Sequence, residues 1–135
     1  MTDLTGINQI RLCIDANDVA RITDFWSSLL GYRVRETEPT DDWRHLEPWD
    51  PTLPKLTIQP VPEAKMRKNR LHLDVFVSDP EPWIDRCLEL GGSLLWRSED
   101  PDDWFQVIAD PEGNELCICR SSAPEEEEAL GQTRA

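Results

Sequence analysis

Ile14-Asp15-Ala16-Asn17-Asp18 opens a segment that closes on Phe25-Trp26-Ser27-Ser28-Leu29-Leu30-Gly31. Val75-Phe76-Val77-Ser78-Asp79 opens a second, which closes on Ile84-Asp85-Arg86-Cys87-Leu88-Glu89-Leu90-Gly91. Asp18 and Asp79 stand 61 positions apart, and the same offset carries Asp41-Asp42-Trp43 onto Asp102-Asp103-Trp104 and Leu46 onto Val107. After a slip of one residue, Asp50-Pro51 falls on Asp110-Pro111, and Leu56-Thr57-Ile58 on Leu116-Cys117-Ile118. A fixed period over this much of the chain is the signature of one supersecondary unit used twice.

Each copy reads in the same order. A strand comes first, with Ile10, Leu12 and Ile14 alternating against Gln9, Arg11, Cys13 and Asp15. Its counterpart sets Leu71, Leu73 and Val75 against Arg70, His72 and Asp74. Period two with one apolar face is a half-buried strand. A helix follows, capped by Asp18, with Ile22, Phe25 and Leu29 on one face and Gly31 as its stop. In the second copy Asp79 is expected to cap, Pro80 suits the first turn, and Ile84, Cys87 and Leu88 are expected to face the core. Three strands complete each copy: about Tyr32–Thr37, Trp43–Glu47 and Lys55–Pro60, then Ser93–Arg97, Trp104–Ala109 and Glu115–Cys119. Asp110-Pro111-Glu112-Gly113-Asn114 makes a turn before the last of them. The expected architecture is α+β, a tandem pair of βαβββ modules. One domain spans residues 1–120, with module one at about 7–60, module two at about 70–119, and an acidic, disordered tail at 121–135.

Composition narrows the function. A chain of 135 residues can bury a core without metal or disulfide staples. The net charge of −13 excludes a nucleic-acid partner, which needs a basic footprint. Residues 121–135 hold four Glu and one Arg, a net −3, so the body keeps −10. No apolar run reaches the roughly 20 residues of a membrane span, and Met1 to Asn8 lack a signal's basic and apolar regions. A cytoplasmic protein with reduced cysteines is expected. Cys117 and Cys119 form C-x-C rather than the C-x-x-C of zinc or redox sites. There is no Gly-rich phosphate loop and no G-x-S-x-G.

In strand centres, Arg11, Thr57, His72, Asp74 and Cys117 fall on the face opposite the apolar one. Unpaired polar groups cannot sit against an apolar layer, so this face is expected to meet water and to form a cleft.

The strand–Asp–helix–Leu-Gly pattern, repeated and closed by Asp-Pro-x-Gly-Asn, resembles the glyoxalase/bleomycin-resistance (vicinal oxygen chelate) superfamily. Phe25-Trp26 before Leu29-Leu30-Gly31, Lys68-Asn69-Arg70-Leu71-His72-Leu73-Asp74, and Asp110 to Cys117 resemble a glyoxalase-like subgroup. The likeness covers about residues 7–119. It implies paired modules forming a curved sheet around a cavity, and a homodimer. It also implies that metal enzymes of the superfamily take a His from a module's first strand and an acidic ligand from its last. Here those positions hold Arg11 and His72, then Thr57 and Cys117. A guanidinium cannot give up its proton to a metal. His72 and Cys117 alone fall short of the three or four ligands usual for zinc, unless Asp74, Gln59 or Cys119 adds one. No cofactor is expected, and metal-dependent glyoxalase or dioxygenase chemistry is disfavoured.

The expected function is small-molecule binding in the paired-module cavity, with metal-independent lyase or isomerase chemistry if the protein is an enzyme. Imidazole is the side chain best suited to moving protons at neutral pH, so His72 is the candidate base, beside Asp74 or as partner of a Cys117 thiolate. Arg11 is the candidate anion clamp, and alternatively pairs with Asp74 or Asp15. Thr57, Gln59 and His45 are candidates to line the cavity, and Trp43 and Trp104 to stack on a planar ligand. Each has a structural alternative: a satisfied His, or a Trp that only packs. Sequestration of a cationic aromatic drug, which acidic charge and tryptophans would suit, is the alternative function.

Overall fold

The computed structural model describes residues 6–121. These form two compact units, one ending at Ala64 and the other starting at Lys65. Residues 122–135 of the expected tail, and Met1 to Thr5 at the start, lie outside the described residues.

Unit one runs β1 (Arg11–Ala16), α1 (Val19–Leu30), β2 (Arg33–Val34), β3 (Arg44–Glu47) and β4 (Lys55–Pro60). Its sheet order is β1-β4-β3-β2, with β1 parallel to β4 and the other pairs antiparallel. Helix α1 starts where the sequence places it: the Asp18 carboxylate accepts the Arg21 N–H at 3.1 Å. It stops at Gly31, whose φ of 70° is left-handed and whose N–H reaches the Ser27 carbonyl. Its buried face, Ile22, Phe25, Trp26 and Leu29, packs with Leu46, Leu56 and Ile58 of the sheet. Phe25 and Trp26 meet edge to face, centroids 5.9 Å apart. We expect Asp18→Ala to lower stability by about 1 kcal/mol, because the Arg21 N–H loses its acceptor. Thermal unfolding should show this as a drop of a few degrees; an unchanged midpoint would show that water replaces the cap.

Unit two runs β5 (Leu73–Val77), α2 (Glu81–Glu89), β6 (Ser93–Arg97), β7 (Phe105–Ala109) and β8 (Glu115–Arg120). Its order, β5-β8-β7-β6, repeats the first, again with the first and last strands parallel. The two βαβββ modules of the sequence reading are present, in an α+β fold of two four-stranded sheets. On β8, Leu116 and Ile118 are buried with Ile108, Ile84 and Cys87, while Glu115, Cys117 and Cys119 take the other face. The turn before β8 explains its sequence. Asp110, almost fully buried, accepts the N–H groups of Glu112 and Asn114 at 2.9 Å. Gly113 supplies the φ of 93° that the turn needs.

Several expectations shift. Strand β2 is only Arg33–Val34, with one further backbone bond from the Arg35 N–H to the His45 carbonyl before the chain turns at residues 38–41. Pro80, not Asp79, occupies the cap of α2. Asp79 acts from one residue further out, accepting the Glu81 N–H at 3.3 Å. Leu88 is 48% exposed: the buried line of this short helix lies between Ile84 and Cys87, and Leu88 falls at its edge. Ile10, Leu71 and His72 precede their strands, and the two apolar side chains are exposed. All four cysteines are free thiols. Among the described residues, no helix is long and apolar enough to cross a membrane.

Candidate functional site

The predicted site residues fall into two groups, one in each unit. In unit one, Arg11 is held from three sides: Nε donates to Thr57 Oγ1 at 2.8 Å, Nη2 to the Leu56 carbonyl at 2.6 Å, and Nη1 to Glu47 Oε1 at 3.1 Å. Its ion-pair partner is thus Glu47, rather than Asp15 or Asp74. Arg35 donates to the same oxygen of Glu47, and Lys55 stands 3.9 Å from the other. Burial pushes the Glu47 carboxyl up, but hydrogen bonds from Arg11 and Arg35 outweigh it, so the group titrates below its ordinary value. His45 Nδ1 lies 3.1 Å from Thr57 Oγ1, its cross-strand neighbour. Burial and the nearby Arg11 and Arg35 lower its pKa from the ordinary imidazole value. Gln59 donates to Asp15 at 3.0 Å. Trp43 is 42% exposed.

In unit two the strand parity that buries Leu116 and Ile118 delivers Glu115, Cys117 and Cys119 to one hollow of about 430 Å³. Strand β5 adds Asp74 and Phe76, and His72 stands just before it on the same face. Asp74 and Cys117 are register partners across the parallel β5–β8 pair. His72 Nε2 lies 3.0 Å from Asp74 Oδ1; with Nε2–H donating to the carboxylate, Nδ1 is the basic nitrogen. Burial first, and Asp74 second, push the Cys117 thiol up to about 11. Cys119 goes to about 12 for the same two reasons. At neutral pH both are thiols, so Cys117 enters as a hydrogen-bond donor to Asp74 rather than as a thiolate.

Further across the same sheet face the lining is aromatic: Trp96 of β6 and Phe105 of β7 meet with centroids 5.5 Å apart. Trp104, the expected stacking residue, instead carries the Arg120 guanidinium 4.9 Å from its ring centroid. The signal for Phe105 was present in the sequence, since Val107 pairs with Cys117 and Phe105 is two residues before it. Nothing local in the sequence marked Glu115. It is buried, yet takes Lys68 Nζ at 2.7 Å, Lys65 Nζ at 3.3 Å and the Asn69 N–H at 3.0 Å. The Lys68 hydrogen bond, opposed by burial and aided by Asn69, holds its carboxyl down at about 2.

The donor set bears on the metal that the resemblance implies. In unit one, Arg11 is committed to three acceptors and Thr57 to Arg11 and His45, so neither is a ligand. In unit two, donor atoms of His72, Asp74 and Cys117 all lie within 4.8 Å of one another. Asp74 thus stands where a third donor beside His72 and Cys117 would be.

This chain belongs to the glyoxalase-like domain family, whose profile matches residues 11–119. No curated protein matches it in sequence. Similar solved structures include fosfomycin resistance protein FosX from Listeria monocytogenes, complexed with Mn(II) and 1S,2S-dihydroxypropylphosphonic acid. That protein is 9% identical, with a TM-score of 0.68, over 91% of this chain and 99% of that one. A glyoxalase/bleomycin resistance protein/dioxygenase family enzyme from Burkholderia phytofirmans is 16% identical, with a TM-score of 0.65, over 82% and 95%. A glyoxalase-related enzyme from Fulvimarina pelagi is 18% identical, with a TM-score of 0.64, over 85% and 89%. At such identities the likeness speaks for the fold alone.

Proposed function

We propose that this protein binds a small organic molecule in the unit-two hollow and takes a proton from it at His72, as a metal-independent lyase or isomerase. The observation that carries the reading is the His72–Asp74 hydrogen bond at 3.0 Å, set in a hollow that the Trp96–Phe105 pair also lines. Asp74 orients the ring and stabilises the imidazolium that forms on proton transfer. The aromatic pair offers a flat apolar surface for the body of the ligand. Arg11 and Thr57, engaged inside unit one, have no part in this reading. It places the protein in the cytoplasm as a homodimer, the state that the resemblance implies.

The test uses a panel of small carbonyl compounds with an acidic C–H, incubated with the protein in deuterated buffer. Deuterium exchange at that carbon is expected, and it should fall about a hundredfold in His72→Ala. Exchange that the substitution leaves unchanged would sink the reading.

A second reading rests on the acids in the same hollow. Asp74 and Asp103 lie among its lining residues with the Trp96–Phe105 pair, a combination that suits a cationic aromatic drug. Drug tolerance conferred on expressing cells and unaffected by His72→Ala would favour sequestration over proton transfer.

A further inference from the structure

We propose that the segment leading into β5 holds an anion subsite, so that the small molecule of the unit-two hollow carries a carboxylate or phosphate at one end. This rests on the reading of that hollow as a ligand site. A second hollow, of about 510 Å³, is lined by Arg67, Lys68, Asn69 and Arg70. Lys68 also lines the hollow that holds His72 and the Trp96–Phe105 pair, so one side chain borders both.

Charge singles out the place. The chain carries a net −13, yet Lys65, Arg67, Lys68 and Arg70 stand within six residues, and no acid lies between Glu63 and Asp74. Lys65 and Lys68 are engaged by Glu115. The exposed side chains of Arg67 and Arg70 make no hydrogen bond or ion pair among the described residues. Other arginines of this protein do find partners: Arg11 and Arg35 on Glu47, Arg97 on Glu99, and Arg33 and Arg120 over tryptophan rings. Two guanidiniums left unpaired in an acidic molecule, both lining one hollow, are donors that lack an acceptor.

The backbone beneath them is held. The Asn69 N–H donates to the Glu115 carboxylate at 3.0 Å, Asn69 Oδ1 accepts the Glu115 N–H at 3.3 Å, and Asn69 Nδ2 donates to the Leu71 carbonyl at 3.3 Å. Asn69 is thus tied to β8, and the cations on either side of it start from an ordered chain, so only their side chains need to settle when a ligand arrives. The planar fork of a guanidinium matches the two oxygens of a carboxylate or phosphate. Arg11 cannot serve in their place, because its three acceptors lie inside unit one. With its anion at Arg67 and Arg70, the body of the ligand reaches past Lys68 toward His72 and the aromatic pair.

The test is an NMR titration of the isotope-labelled full chain with three aromatic probes: anionic phenyl phosphate, neutral benzyl alcohol and cationic phenyltrimethylammonium. Phenyl phosphate is expected to shift the Arg67 and Arg70 Nε–H signals and the Asn69 amide. It should bind about tenfold more tightly than benzyl alcohol, roughly the worth of one charge-assisted hydrogen bond. Added sodium chloride should erode that advantage. Arg67→Gln with Arg70→Gln should remove it; both residues are exposed and lie outside every strand and helix, so the fold should be kept. Arg21→Gln, which deletes an exposed arginine of α1, should leave it unchanged. Phenyl phosphate bound no better than benzyl alcohol, or an advantage that survives the double substitution, would overturn the proposal. Tightest binding of the ammonium probe would do so too, in favour of drug sequestration. No readout here needs turnover. Phenyl phosphate held at the two arginines, with no deuterium exchange in any carbonyl compound, would uphold the subsite and sink proton transfer alone.

Discussion

Replacing Glu47 with alanine is expected to destabilise the first unit by about 3–5 kcal/mol, the usual cost of removing one partner from a buried ion pair. The side chain of Glu47 is 7% exposed and that of Arg11 is 14% exposed. Without the carboxylate, Arg11 keeps only Thr57 and the Leu56 carbonyl as acceptors, and its charge stays largely out of water. Arg35 and Lys55, each more than 40% exposed, can turn to solvent, so the cost concentrates on Arg11. Because a domain's whole stability is about 5–15 kcal/mol, a loss of this size should shift the urea midpoint markedly. Arg11→Met together with Glu47→Leu should recover much of the loss, since replacing both charges removes the uncompensated one. A change below about 1 kcal/mol for Glu47→Ala would mean that water screens the pair as it does on a surface.

Glu115 should reveal itself by acid. Its carboxyl is held at about 2, against 4.5 for an ordinary glutamate, chiefly by the Lys68 hydrogen bond working against burial. A carboxyl whose folded pKa is depressed contributes stability that is fully present above its unfolded pKa and lost as pH falls through the folded one. The loss should therefore develop from about pH 4.5 down to about pH 2. Lys68 is 74% exposed, and the screening this allows trims the contribution to roughly 2 kcal/mol. Glu115→Gln should remove that much stability at neutral pH and flatten the acid limb in proportion. Denaturant titrations of both proteins at several pH values measure the difference. Parallel acid limbs would mean that the lysines and Asn69 hold the carboxylate no better than water does.

These two glutamates mark where sequence reading stopped. The repeat, the strand parity and the caps were legible because they are local: Asp18 caps within one turn, and Leu56 and Ile58 alternate with Thr57 whatever else the chain does. His72, Asp74 and Cys117 were legible as one set because parity alone assigns them to one face, and the resemblance singles out two of them. Glu47 and Glu115 gave no such sign. Their partners lie 36 and 47 residues away in the chain for Arg11 and Lys68, and an acidic residue near a strand end ordinarily reads as solvated. Nor does the repeat relate them, since the offset that maps Leu46 onto Val107 carries Glu47 onto Ile108. The repeat singles out Trp104 through its partner Trp43 and gives no such sign of Phe105. Alternation along β7 with Val107, the register partner of Cys117, puts Phe105 and not Trp104 on the face of the hollow.

The central place of β8 carries a further consequence, for the order in which the protein becomes competent. Of the strands among the described residues β8 is synthesised last, yet it lies between β5 and β7. Leu73 waits for Leu116, and Asp74 for Cys117, each 43 positions further along the chain. Before β8 arrives, β5 has no partner in its own sheet, and a loop of that length must close before the pairing returns any free energy. Cys117 and Glu115 come with β8 itself, so the hollow takes shape only when the sheet closes. A growing chain that has made His72 and Asp74 but not Cys117 holds two of the three side chains without the strand that brings them together. Binding competence should therefore appear late and abruptly in refolding, together with sheet closure.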